Sequence, residues 1–119
     1  MELSLQQIEE ALTTLPARIA KKAVEAEEAW EMWQKFEVSY EADRARSYLR
    51  HKAMNEKATV AELEALVSSD EVVMMSRVEC IRLEAIYRKR IVEVKELDNK
   101  FTGVKKLITL RESEMRSIG

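Results

Sequence analysis

Residues 80–108 read CIRLEAIYRKRIVEVKELDNKFTGVKKLI, and the spacing within this stretch decides the fold. Cys80, Leu83, Tyr87, Val94, Leu97, Phe101, Val104 and Ile108 follow one another three and four apart, with Arg90 in the one open slot. An apolar residue every 3.5 positions returns to one side of an α-helix, the pattern of a coiled-coil seam. The row runs on through Arg111 to Met115, and no proline interrupts it. It predicts a helix from about Glu71 to Met115, with Gly103 as the one place where it would bend.

Working towards the N-terminus, Ser68 with Glu71 and Thr59 with Glu62 have the spacing of capping boxes, in which a hydroxyl and a carboxylate satisfy the free N–H groups of a helix start. They predict a short helix from Thr59 to Val67, closed by Ser68-Ser69-Asp70 and preceded by the linker Asn55–Thr59. From Ala17 to about Met54 nothing stops a helix. Ile19, Ala23, Ala26, Trp30, Trp33 and Tyr40, with Glu37 in a gap, give it a second seam, and Phe36 widens it. Ser4 with Gln7 opens a first short helix over 4–14, followed by a break, because Pro16 disfavours helical geometry at Leu15 and itself suits a first helical position.

Composition agrees. Two glycines, one proline and two asparagines in 119 residues are too few turn formers for a β-sandwich, a Gly-rich phosphate loop or a dinucleotide-binding turn. The expectation is an all-α chain, one domain over 1–119. N-terminal helices lie in 1–57 and C-terminal helices in 58–119, so that two long helices and short ones present coiled-coil-like seams. Two long arms bury only one stripe each in a hairpin. Phe36, Val72, Met75, Ile81, Ile86, Ile91 and Ile118 are left over and imply a second contact surface. Homo-oligomerisation is the expected outlet, with Trp30, Trp33, Leu83, Tyr87, Val94, Leu97, Phe101, Val104 and Ile108 at the interface; a monomeric bundle of three or four helices is the alternative.

Little in the chain suits catalysis. His51 is the single histidine and Cys80 the single cysteine, so zinc sites built on paired histidines and internal disulfides are excluded. Cys80 lies on the seam as a small hydrophobe, and the carboxylates alternate with Lys and Arg on solvent faces. No enzyme, no metal and no cofactor is expected. An acidic N-terminus, no apolar run of membrane-spanning length and one cysteine point to the cytoplasm and away from membranes.

The net charge of −2 conceals alternating blocks: −6 over 1–43, +4 over 44–57, −4 over 58–86 and +4 over 87–119. The segment 44–57, RARSYLRHKAMNEK, sets Arg44, Arg46, Arg50, Lys52 and Lys57 among Tyr48 and His51. Cations that track phosphates, beside rings that stack on bases, suit single-stranded nucleic acid. A solvated basic face pairing with the acidic 25–43 segment of a neighbouring chain suits the same residues. A second basic set, Arg88 to Arg116, is interrupted by acids and fits the flank of a seam.

The order of features from Ala42 to Met115 resembles the UvsY family of phage recombination mediators. The similarity lies in Arg44-Ala45-Arg46-Ser47-Tyr48-Leu49, in the short helix and turn Leu63–Val72 (LEALVSSDEV), and in the closing Lys100–Arg111 (KFTGVKKLITLR). The acidic first 43 residues have no counterpart. The resemblance implies a small helical homo-oligomer that binds single-stranded DNA and helps load a RecA-like recombinase onto strand coated by single-strand-binding protein. It makes Arg44 and Arg46 candidates for DNA contact and the 70–115 helix the oligomer-forming element. From the seams alone, the other reading is a helical interaction or scaffold protein without nucleic-acid binding, such as a phage-encoded inhibitor of a host protein.

Overall fold

The computed structural model describes residues 4–118, and the surroundings of side chains up to Ser117. The chain is all-α: α1 spans Leu5–Met54, α2 Val60–Ser69 and α3 Glu71–Ile118. There is no strand among the described residues. Two long helices and a short one pack against each other in two compact units. One unit joins residues 1–27 to 88–119, and the other is formed by residues 28–87. The boundary drawn at 57/58 from sequence falls inside the second unit.

In the first unit Ile8, Leu15 and Val104 are buried together, with Ala11, Leu12, Leu97, Phe101 and Ile108 packed around them. The α1 residues that turn inward are Ile8, Leu12, Leu15, Ile19, Lys22 and Ala26, a strict alternation of four and three. Lys22 occupies a seam position because its ammonium meets the Glu93 carboxylate at 3.0 Å and Glu25 at 3.2 Å. Arg90 lies 3.4 Å from Glu93 and 4.0 Å from Glu25. Residues 22 and 25 thus face 93 and 90, so the two helices run antiparallel. Glu25 Oε2 is buried and held by charge, without an aligned hydrogen bond.

The second unit repeats the arrangement. Ala29, Trp33, Phe36, Tyr40, Asp43 and Ser47 turn inward on α1, and Val73, Ser76, Cys80, Leu83 and Tyr87 on α3. The Trp33 and Tyr87 rings stack at 5.7 Å between centroids, and Ser76 Oγ donates to Asp43 Oδ2 at 2.5 Å. The seam expected on α1 is therefore corrected at three points, one of them Phe36, which takes the inward slot in place of Glu37. Ala23 and Trp30 face outward, Trp30 with 46% of its surface exposed, while Lys22 and Ala29 take the inward slots. The seam on α3 is the expected one, but it closes on α1 of the same chain. Trp33, Leu83, Tyr87, Val94, Leu97, Phe101, Val104 and Ile108 are all buried or half-buried in these packings. They are interior residues of one chain because a short connection folds α3 back along α1.

The expected break at Pro16 does not occur; Pro16 lies inside α1. The missing N–H and the clash with the preceding turn cost about 3 kcal/mol. Leu15 and Ile8 are 1% and 2% exposed, and full burial of such a side chain contributes about 1.5–3 kcal/mol each. Burial on both sides of the proline therefore outweighs it. Thr13 and Thr14 direct their hydroxyls to the Glu9 and Glu10 carbonyls at 2.7–3.0 Å and stay within the helix.

The Ser4–Gln7 capping box forms in full, and Thr59 caps α2 through its hydroxyl, which itself donates to Glu62 Oε1. Ser4 N–H donates to Gln7 Oε1 at 2.8 Å while Gln7 N–H donates to Ser4 Oγ at 3.2 Å, and Glu62 N–H donates to Thr59 Oγ1 at 3.1 Å. The third start is corrected: α3 is capped by Asp70, whose Oδ1 accepts from Val72 N–H at 3.0 Å, and not by Ser68. Asp70 N–H also closes α2 by donating to the Val67 carbonyl at 3.1 Å. Its Oδ2 accepts from Ser47 Oγ at 2.7 Å and from the Arg50 guanidinium. One residue thus ends α2, begins α3 and fastens both to α1. Ser47 is 2% exposed, so its hydroxyl needs this partner.

Two predictions follow from this packing. Replacing exposed Pro16 by Ala restores a helix N–H and gains about 3 kcal/mol of helix propensity, less about 1 kcal/mol of added freedom in the unfolded chain. Urea titration of Pro16→Ala should show a net gain of about 2 kcal/mol. The second concerns acid. Ser47, the Val72 N–H and Arg50 hold the Asp70 carboxyl below its ordinary value of 3.8. A carboxyl lowered on folding contributes stability that is present above the unfolded value and lost as pH falls through the folded one. Thermal midpoints from pH 7 to pH 2 should fall below pH 4 for the native chain, and fall less over that window for Asp70→Asn.

Candidate functional site

Helical geometry distributes the basic segment around α1, and three of its arginines meet carboxylates of the same chain. Arg44 reaches Glu64 on α2 at 2.5 Å, Arg46 reaches Asp43 one turn back at 2.8 Å, and Arg50 pairs with Asp70. Arg46 remains 71% exposed at the side chain, and an exposed pair one turn apart on a helix is worth only a few tenths of a kcal/mol. His51 and Tyr48 are half-buried, and the His51 carbonyl accepts from Asn55 N–H and Nδ2 at 2.9 and 3.1 Å. Lys52 and Lys57 are exposed and have no ion pair among the described residues. Tyr48 shares a shallow surface with Glu41, Arg44, Ala45 and Leu49, where the Glu41 carboxylate opposes a phosphate. The segment is thus divided: Arg44 and Arg50 hold helices together, and Lys52, Lys57 and Arg46 face solvent.

The second unit carries another surface that the composition of the segment does not announce. Met74, Val78 and Ile81 are 53%, 65% and 53% exposed, and Ala85 follows in the same row. Their spacing of four, three and four is that of a seam, on the side of α3 away from Val73, Cys80 and Leu83. Met74 and Val78 border a groove of about 280 Å³ with Val67 and Ser68 of α2, Tyr40 and Arg44 of α1, and Val73 and Arg77. The Arg77 guanidinium sits 5.7 Å from the centre of the Tyr40 ring and has no carboxylate partner among the described residues. A helix row of this kind, with the apolar side chains outward, is suited to receiving another helix.

Of the surplus apolar positions, Ile81, Val72 and Met75 are exposed, Phe36 is part of the inward row of α1, and Ile86 and Ile91 are half-buried beside the α3 seam. Ile118 lies beyond the described side chains. Met74 and Val78 were not singled out by the sequence, although the 74–78–81–85 alternation was there to be read beside the longer one.

Cys80 is 1% exposed, and burial pushes its thiol above the ordinary value, with the Glu37 charge adding to the shift. Among the described residues no group of three or more His, Cys, Asp or Glu is placed to hold a metal ion, and no helix is long and apolar enough to cross a membrane. No protein family, curated protein or solved structure matches this chain.

Proposed function

We propose that this chain is a helical interaction module, and that the outward row of α3 receives a partner helix. The observation that carries this reading is Met74, Val78 and Ile81, each more than half exposed at seam spacing on a helix whose opposite side is already packed. Monomeric surfaces seldom keep contiguous apolar side chains without a binding role. Arg77, beside the row and without a carboxylate, adds a charge for register. A photo-crosslinking amino acid at Val78, activated in the native cell, should yield a discrete polypeptide adduct that disappears with Ile81→Glu. The absence of any polypeptide adduct, with helicity intact by circular dichroism, removes this reading.

The nucleic-acid reading, a mediator that binds single-stranded DNA and assists a recombinase, rests on the exposed Lys52 and Lys57 and on Arg46 with its weak pair. Its mechanism is counterion release, so affinity falls steeply with salt. Anisotropy of a labelled oligonucleotide across a salt series tests it. Binding should show a log–log slope reduced by roughly 1.4 in magnitude in the Lys52→Ala/Lys57→Ala variant, at about 0.7 for each of the two phosphate contacts removed. An unchanged slope, or no binding at low salt, removes it.

A further inference from the structure

We infer that the partner is a helix carrying one large apolar side chain and, one turn from it, one carboxylate: the apolar group fills the groove beside the last turn of α2, and the carboxylate meets Arg77. The inference rests on the interaction-module reading and states the chemistry of its partner. It begins from an arginine without an acid. Of the five arginines in the second unit, Arg44 holds Glu64, Arg46 holds Asp43, Arg50 holds Asp70 and Arg82 holds Glu79. Arg77 has no carboxylate among the described residues. Its own helix offers none, because the positions one turn away are Val73, Met74, Cys80 and Ile81. It is nevertheless held in place, since its guanidinium lies over the Tyr40 ring, 5.7 Å from the ring centre. A planar cation fixed by stacking is already shaped to take a carboxylate in two parallel hydrogen bonds.

The groove beside Arg77 decides what accompanies the acid. Arg77 lines one cavity with Met74 and Val78 of the outward row, and other walls are Tyr40 on α1 and the end of α2 at Val67 and Ser68. The short helix α2 is thus a wall of the site. At about 280 Å³ the groove falls below the roughly 300–1,000 Å³ of sites that hold whole small molecules. It has room for a single large side chain, the kind of anchor that dominates an interface. Arg44, the other cation at the groove, is neutralised by Glu64, so one positive charge is left and not a patch. Residues 58–86 carry a net charge of −4, which repels an acid-rich segment or a polyanion. Together these restrict the partner to one well-placed carboxylate. Side chains three or four apart on a helix lie side by side. An anchor and an acid at that spacing reach the groove and Arg77 together, while the helix that carries them covers Met74 and Val78.

The test selects a displayed library of helical peptides, randomised on one face, against the immobilised whole chain. The native chain should enrich peptides with a Leu, Phe or Trp and, one turn away, an Asp or Glu. On Arg77→Glu the apolar residue should persist while the acid gives way to Lys or Arg. On Val78→Glu the apolar preference should be lost. The native consensus peptide, labelled and followed by anisotropy, should bind Arg77→Gln about tenfold more weakly than the native chain. The same peptide with glutamine in place of its acid should bind the two chains alike. Circular dichroism on each variant checks that the helices are intact. No enrichment on the native chain, enrichment indifferent to Val78→Glu, an acid preference that is absent or unchanged on Arg77→Glu, or equal binding of the consensus peptide by the native chain and Arg77→Gln overturns the inference. The interaction-module reading fails separately: a Val78 photo-adduct kept at native yield in Arg77→Glu retains that reading and rejects the acidic partner.

Discussion

The Asp70 carboxylate is the constraint on which the rest of the structure depends. Between Ser69 and Glu71 it is the single residue outside a helix, so the chain has almost no slack at this point. Its backbone N–H and its Oδ1 satisfy groups at the end of one helix and the start of the next, and its Oδ2 reaches Ser47 and Arg50 on a third. The position of α3 along α1 is set there, since residue 70 must lie beside residue 47. The later pairings of the second unit keep the same register: Ser76 with Asp43, Arg77 with Tyr40 and Tyr87 with Trp33. The charged and polar seam positions add a penalty for slipping, because a shift of one heptad would leave Lys22 or Asp43 against apolar side chains without a partner.

Much of the fold was legible in the sequence because α3 repeats one rule for most of its length. The alternation from Cys80 to Ile108 predicts the packed side residue by residue, and Thr59 with Glu62 and Ser4 with Gln7 predict their helix starts. Pro16 was not legible, since the local preference it expresses is real and is exceeded only by burial of Ile8 and Leu15 against a helix distant in sequence. The slip from Lys22 to Ala23 and from Ala29 to Trp30 has a related origin. A lysine is a poor seam residue until its partner is known, and Glu93 is 71 positions away. The outward row at Met74 and Val78 was hidden by the richer row beside it, because a helix with two apolar sides gives no clean contrast between inside and outside.

The same physics changes how the basic segment is understood. A run of five cations in fourteen residues reads as a polyanion site as long as its neighbours are unknown. In the folded chain Asp43, Glu64 and Asp70 take three of the arginines, and two of these pairs join different helices. The cationic density of the sequence is therefore partly internal wiring. Charges that remain available, at Arg77 and Glu41 on one side and at Lys52 and Lys57 further along α1, are fewer and more specific than the totals suggest.

The antiparallel course of α1 and α3 also grades the chain by loop length. Pairs near the reversal, such as Ser47 with Asp70, close a loop of about two dozen residues, whereas Ile8 and Val104 close nearly the entire chain. Closure entropy grows only with the logarithm of that length, but it must be met before the distant contacts can form. The residues around Asp70 are thus the natural place for folding to begin, and the pairing of the two chain ends is the natural last step.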